Sequence, residues 1–419
     1  MKKKLLTTII ASLFVFSALA QQFDLSAELR PRFENKQGYQ LLLNTNQEGS
    51  NFVSQRTRLN FGFKNEKLKL KIVMQNVRVW GDVGTLSSDD KASALHETWA
   101  AYIPNNKISF KFGRQEIVYD DHRIFGNVGW AQQARSHDAF LFKYTPNADN
   151  KLDIGFALNA DSQSNVDNLY SNAADYKSFQ YAWYHGDFNA IGVSFLLLNT
   201  GIEYLDIDAS QTIDYMQTIG PRLTYKSGKF NANVSAYLQT GKSLNNDVST
   251  SYFAGNIGYK VTKEWSLGLG MEQLSGKDSN ASSTDIKSFA PLFGTNHKFN
   301  GFMDYFYVGN HANSVGLTDI NMTLGYSKDK FSAKLTPHLF SAAADVFDGT
   351  TKMDANLGTE IDLTVGYKIA KDINLNAGYS KLFATRTLEV LKGGDKNENN
   401  SWVWVMMTFK PTLFSHKAN

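Results

Sequence analysis

Apolar and polar side chains alternate along most of this chain. In residues 23–34, Phe23, Leu25, Ala27, Leu29, Pro31 and Phe33 take one face, and Asp24, Ser26, Glu28, Arg30, Arg32 and Glu34 take the other. Residues 57–64 do the same, with Thr57, Leu59, Phe61 and Phe63 against Arg58, Asn60, Gly62 and Lys64. The pattern returns in 213–225, in 230–239, and in 360–367, where Ile361, Leu363, Val365 and Tyr367 alternate with Glu360, Asp362, Thr364 and Gly366. Period two marks strands with one apolar and one polar face. About eighteen such strands of about ten residues each can be counted, a length that suits a tilted strand crossing a membrane. Short turns such as Lys226-Ser227-Gly228-Lys229 and Ser327-Lys328-Asp329-Lys330 alternate with long polar stretches near 82–93, 161–177, 242–250, 275–299, 341–357 and 384–399. Short turns at one end and long loops at the other belong to outer-membrane barrels.

A soluble sandwich would place the apolar face inside, whereas a membrane barrel places it outside around a wet lumen. The polar faces carry too many charges to be packed in a dry core, since buried charges are costly. Aromatic residues near strand ends (Tyr144, Tyr225, Tyr259, Tyr326, Tyr367 and Tyr379) would form a girdle. No fixed-period repeat of the solenoid kind is present. The expected fold is all-β: a transmembrane antiparallel barrel of about 18 strands over 21–419 in a bacterial outer membrane, wide enough for an aqueous channel.

The amino terminus agrees. MKKKLLTTIIASLFVFSALAQQ sets three lysines before a short apolar run that ends in Ala18-Leu19-Ala20, the pattern of a signal peptide over 1–20 cleaved near Ala20. The run is short for a membrane anchor. The chain has no cysteine, which excludes disulfides, thiolate chemistry and a lipidated amino-terminal cysteine. Loss of residues 1–20 removes three lysines and leaves 40 basic and 40 acidic side chains. Neutrality argues against a nucleic-acid partner, which would require a basic field.

Charge selectivity must therefore be local. The arginines are at 30, 32, 56, 58, 78, 114, 123, 135, 222 and 386, and eight of the ten precede residue 136. A guanidinium is always charged and grips carboxylates in pairs of hydrogen bonds. Arg30 with Arg32, and Arg56 with Arg58, stand at alternate positions and so share a strand face. On neighbouring strands the four would form one positive patch on the lumen wall, and such rings favour anions. The bland reading pairs them with lumen acids such as Glu28, Glu34, Glu97, Glu360 and Asp362. Arg78 and Arg114 fall in the outward phase of their strands, so either a bulge re-aims them or they sit at the rim.

The runs "VRVWGD" (77–82), "HETWAAYI" (96–103), "FKFGRQEIVYDDHRIFG" (110–126) and "GWAQQARSHDAFLF" (129–142), with "FAPLFGTNHKFNGFMDYFYVGN" (289–310), resemble the alginate-export family of outer-membrane porins. The resemblance implies a monomeric barrel of about eighteen strands whose basic constriction passes an anionic uronate polymer. On that pattern Arg78, Arg114, Arg123 and Arg135 would line the lumen or its constriction, with Asp121 and Asp138 as acidic partners, and periplasmic secretion components would assist. Arg222 joins the lumen-lining candidates. It and Arg386 are the only arginines of the second half, which departs from a complete arginine ring.

Catalysis is not expected. No G-x-S-x-G elbow or H-E-x-x-H pair occurs. Asp121-His122 and His137-Asp138 are adjacent, which in a strand puts them on opposite faces. "DDH" (120–122) lacks companions at metal-ligand spacing, so neither metal nor cofactor is expected. No plug domain precedes the first strand. Two functions remain open: passage of an anionic polysaccharide or small anionic solutes, and general diffusion of small solutes. In 289–310, Pro291, Gly294 and Gly301 break the strand pattern while Phe289, Phe293 and Phe299 add apolar bulk. That segment should fold inward or pack over the mouth as a gate, with Phe293, His297 and Lys298 as its gating residues.

Overall fold

The computed structural model describes residues 21–90, 92–166, 168–170 and 176–418, so the expected signal peptide over 1–20 lies outside the described residues. The strands are β1 (Gln22–Gln37), β2 (Ser50–Lys64), β3 (Leu68–Val79), β4 (Ser93–Asn105), β5 (Ile108–Gln115), β6 (His137–Tyr144), β7 (Asn150–Leu158), β8 (Ser178–Phe188), β9 (Ile191–Leu205), β10 (Gln211–Ser227), β11 (Phe230–Ser243), β12 (Asn246–Lys260), β13 (Trp265–Leu274), β14 (Leu317–Lys328), β15 (Phe331–Ser341), β16 (Asn356–Ala370), β17 (Ile373–Ala384) and β18 (Ser401–Phe409, resumed at Thr412–Lys417). Each pairs antiparallel with the next, and β18 pairs back onto β1, with Glu34 opposite Trp404 and Phe23 opposite His416. The result is a closed 18-strand barrel without a free edge. Pro411 interrupts β18 because it cannot donate to the ladder. Its carbonyl accepts from the Ala27 amide at 3.1 Å, and the register shifts there, between Leu25 and Ser26.

The phase follows the sequence pattern. Phe23, Leu29, Phe33, Leu59, Leu197, Ile219, Leu223 and Leu363 face outward and are exposed, whereas Glu28, Arg30, Arg32, Arg56, Arg222, Glu360 and Asp362 face inward and are buried. Tyr144, Tyr225, Tyr259, Tyr326 and Tyr367 stand near the short-turn end, where Trp265 packs on Tyr326 with ring centroids 4.7 Å apart. Tyr379 lies mid-strand, opposite Leu363.

The long connections gather at the other end, with one correction. The stretch 242–250 is not a loop, because β11 and β12 join through Leu244 and Asn245 alone. Both have positive φ (51° and 62°), the backbone of a tight two-residue hairpin turn. After β17, the short helix α1 (Arg386–Lys392) is capped by the Thr385 side chain, which accepts from the Leu388 amide.

The lumen also differs from the expected water-filled tube. Two connections, 116–136 and 275–316, fold into the barrel, the first deep enough for Asp120 to accept from Ser194, near the short-turn end of β9. Phe125, Phe289, Met303, Tyr305 and Phe306 form a core there with the wall residues Phe179, Leu274, Leu317 and Trp402. An irregular segment can be buried only if its backbone polar groups find partners. The polar wall supplies them. Gln239 donates from Nε2 to the Ala290 carbonyl at 2.7 Å and accepts from the Ala290 amide at 3.0 Å, as a neighbouring strand would.

Candidate functional site: the two infolded segments and the charged wall

The four arginines of β1 and β2 do form one patch, since Arg30 is opposite Arg56 and Glu28 opposite Arg58. Three of them are engaged with residues 129–132 of the first infolded segment. Arg30 donates to the Gly129 carbonyl at 2.8 Å, the Trp130 carbonyl at 3.0 Å, and the Gln132 side-chain oxygen at 2.9 and 3.0 Å. Arg32 donates to the Trp130 carbonyl at 2.8 Å and to Glu34 at 2.9 Å, with its guanidinium 4.0 Å from the Trp130 ring centre. Arg56 donates to Glu28 at 2.8 Å and reaches the Gln132 carbonyl at 3.4 Å. These guanidinium groups seat residues 129–132 against the wall. Arg58 differs, since it bonds only the neutral Gln75 side chain, at 2.7 Å.

Three further arginines hold the infolded segments. Arg123 is fully buried, 3.0 Å from Glu272 on β13, and donates to Asn300 at 3.0 Å. Arg135 donates to the Gly294 carbonyl at 3.0 Å. Arg222 on β10 donates to Asp121 at 2.5 Å and to Ser235 at 2.8 Å.

Arg78 and Arg114 do not join the lumen wall. Both keep the outward phase of their strands and stand second to last before long loops, so the rim resolves the ambiguity rather than a bulge. Arg78 pairs with Asp90, and Arg114 with Asp138 at 2.7 Å. Asp121, Asp138 and Glu28 are thus acidic partners of arginines, but Glu360 and Asp362 are not. Their carboxylates accept from the Met303 amide at 2.8 Å and the Phe302 amide at 3.0 Å, capturing backbone donors of the second segment.

The expected gating residues, Phe293, His297 and Lys298, lie inside the barrel, and each meets the first infolded segment. Phe293 packs on Phe125 at 5.4 Å, and its carbonyl accepts from the Gly126 amide at 2.9 Å. The His297 ring stacks on Trp130 at 4.9 Å and is fixed by Asp304 at 2.8 Å. Lys298 donates to the Asp121 carbonyl at 2.9 Å. The two segments therefore form one insert. Glu116 anchors its start: burial opposes the charge, but hydrogen bonds from His96 (2.8 Å) and Asn127 (2.9 Å) hold its carboxyl down at about 2. Burial pushes Asp120 up despite its bonds from Ser194 and Trp183, and burial with the nearby Asp304 pushes the Tyr39 hydroxyl up.

Cavities flank the insert. One of about 820 Å³ opens at the outer mouth, where Arg32, Lys36, Arg78 and Arg135 face Glu34, Asp82 and Asp304. Another, of about 260 Å³, shares Arg135 and includes Arg114. A third, of about 200 Å³, lies between residues 298–302 and the wall of β12 to β15, where Lys298, Lys334 and His338 meet Asp121, Glu272 and Asp319. Nearer the short turns, Lys71, Lys111 and Lys143 project inward from β3, β5 and β6. Lys71 pairs with Glu97 and Lys143 with Asp153. Lys111 lies 4.0 Å from the Trp99 ring centre and, like Arg58, meets no carboxylate at ion-pair distance among the described residues. The lumen candidates drawn from the sequence are all arginines, and these three lysines are not among them. Their signal was the phase itself, since Lys111 alternates with Phe110 and Phe112, and Lys71 with Leu70 and Ile72. Among the described residues, no group of three or more His, Cys, Asp or Glu could hold a metal ion.

Residues 21–403 match the family model described as Alginate export. The chain belongs to the alginate export family. Solved structures with the same fold include the outer membrane protein OpdK of Pseudomonas aeruginosa, at a TM-score of 0.62 and 11% identity over 94% of this chain and 99% of that one. Acinetobacter baumannii OccAB4 has a TM-score of 0.64 at 10% identity over 95% and 100% of the two chains. A BenF-like porin of Pseudomonas fluorescens has a TM-score of 0.60 at 14% identity, over 93% and 99%. No curated protein matches this chain. As an alginate export family barrel with an apolar outer band, the protein is a channel of the Gram-negative outer membrane.

Proposed function

We propose that the channel passes anionic solutes carrying carboxylates, and that it is a conduit rather than a catalyst. The observation that carries this reading is the pair of inward cations without carboxylate partners, Arg58 and Lys111, beside Lys71 and Lys143 on the same wall. An anion leaving water in a narrow passage regains its interactions from such groups, and a low-dielectric surround strengthens them. Conduction also requires release, which single cations spaced along a wall permit better than a closed ring. The insert argues for small solutes, since two protein segments already occupy much of the lumen. A polymer of uronates is the second reading, favoured by family membership. It would require the insert to move aside and periplasmic components to feed the chain. One chain closes its own barrel, so a monomer suffices for either.

Liposome swelling separates the readings. Vesicles containing the protein should swell faster in glucuronate than in glucose, and a uronate decamer should not enter. Equal rates for glucuronate and glucose would favour a general diffusion pore. Rapid entry of the decamer would favour the polymer.

A further inference from the structure

The lipid-facing side of β7 to β11 departs from the apolar pattern along one row. Gln180 is opposite Asn199, Asn199 opposite Gln217, and Gln217 opposite Thr240, and all four point outward in the phase of Leu197 and Ile219. The amides are linked. Asn199 donates from Nδ2 to Gln180 at 2.8 Å, and Gln217 donates from Nε2 to Asn199 at 2.7 Å. The chain of amides ends open: Nε2 of Gln180 and Oε1 of Gln217 have no hydrogen-bond partner among the described residues. Gln180 is half-buried and Gln217 exposed, so an outside molecule can reach both. Beside the row is a recess of about 550 Å³. Ala182 forms its floor, because it lies between Ile154 on β7 and Leu197 on β9 and is far smaller than either. Phe156 and Ile219 extend the apolar walls. Depth follows from the register. Tyr225 stands at the short-turn end, and Gln217 is eight residues farther along β10. At ~3.4 Å per residue and a tilt of ~40°, that is ~20 Å up an apolar band ~25 Å tall. The row therefore lies in the outer leaflet, just below Tyr215, which is exposed at the next outward position. Hydrocarbon offers nothing to an open amide there, and leaving one unmet is costly.

We propose that this recess binds lipid A of the outer leaflet, with one acyl chain over Ala182 and the polar start of that chain on Gln180 and Gln217. An ester-linked phospholipid presents only acceptors at that depth, which meet Nε2 of Gln180 and leave Oε1 of Gln217 open. Lipid A carries amide-linked, hydroxylated acyl chains, whose N–H and O–H groups donate while the amide carbonyl accepts. That chemistry closes both ends of the row. A second copy of the chain fits less well. A two-fold contact sets the same surface against itself, recess facing recess, with no ridge to fill it. The site is on the outside of the barrel and does not depend on what the lumen conducts.

The test is native mass spectrometry of the folded full chain in detergent, titrated with lipid A or with dioleoylphosphatidylethanolamine. The first lipid A should bind the wild type more tightly than the phospholipid does. Gln180→Leu, Asn199→Leu and Gln217→Leu combined should weaken that first lipid A about tenfold or more, as expected when two hydrogen bonds are lost. Ala182→Phe, which fills the recess and keeps the amides, should weaken it by a similar factor. Neither variant should change phospholipid binding or the pore's reversal potential. Heat-modifiable migration confirms folding, which leucine and phenylalanine on a lipid face favour. The proposal is overturned if the wild type binds both lipids equally, if either variant holds lipid A as the wild type does, or if the wild type is a dimer that the triple variant converts to a monomer.

Discussion

The arginines of β1 and β2 separate into two kinds, and substitution should reveal the difference. Arg30 donates to the carbonyls of residues 129, 130 and 131. Hydrogen bonds from a charged donor contribute roughly 1.5–3 kcal/mol each. Arg30→Met should therefore loosen residues 128–133 by about 3 kcal/mol while the barrel stays closed. Hydrogen exchange of those amides should accelerate about a hundredfold, at about 1.4 kcal/mol per factor of ten. Unchanged protection would show that the segment is held elsewhere. Arg56→Gln should act in the same direction, because it leaves Glu28 buried without its partner. Arg58→Gln removes a lumen cation without untying the segment, so it should lower anion preference and leave protection intact. The sequence showed that these residues share a face and point inward. It could not show that Arg30 and Arg56 meet backbone carbonyls 99–101 and 76 residues away, because a carbonyl is the same at every position and leaves no mark in the side-chain pattern.

At the level of elements, the insert is what sets this barrel apart from an open tube. Breaks at Pro291, Gly294 and Gly301, with phenylalanines between them, made the inward fold of 289–310 legible. The matching fold of 116–136 was hidden by its charge. Asp120, Asp121, Arg123 and Arg135 looked like residues facing water, yet each is paired inside the barrel. Removing residues 276–299 deletes Phe289, Phe293, His297 and Lys298, and single-channel conductance should rise severalfold in a folded variant. Equal conductance would mean that the solute path bypasses the insert. Acid should act on the same element. Glu116 is held at about 2 against an ordinary 4.5, so its contribution is complete above about 4.5 and is lost as the pH falls toward 2. Exchange of the amides of 116–127 should speed up over that window, and Glu116→Gln should remove the pH dependence.

For the molecule as a whole, the alternating pattern fixed both the barrel and the direction of its apolar face, because a one-residue slip would turn every lipid-facing side chain inward. Leu197→Arg on the lipid face of β9 should cost ~2–4 kcal/mol in vesicles if the site is near mid-depth, read from the shift in urea unfolding. What the pattern left open was the sign of the lumen's field, which depends on which inward charges are neutralised by neighbours, and neighbours in a barrel come from strands far apart in sequence. The reversal potential of the protein in a planar bilayer under a potassium chloride gradient tests the account most directly. Anion preference should appear at 0.1 M salt, where the Debye length is ~10 Å, and fade near 1 M, where it is ~3 Å. Arg58→Gln combined with Lys111→Met should carry the potential toward cation preference. A wild-type channel that already prefers cations at low salt, or a folded double variant with unchanged selectivity, would contradict the account.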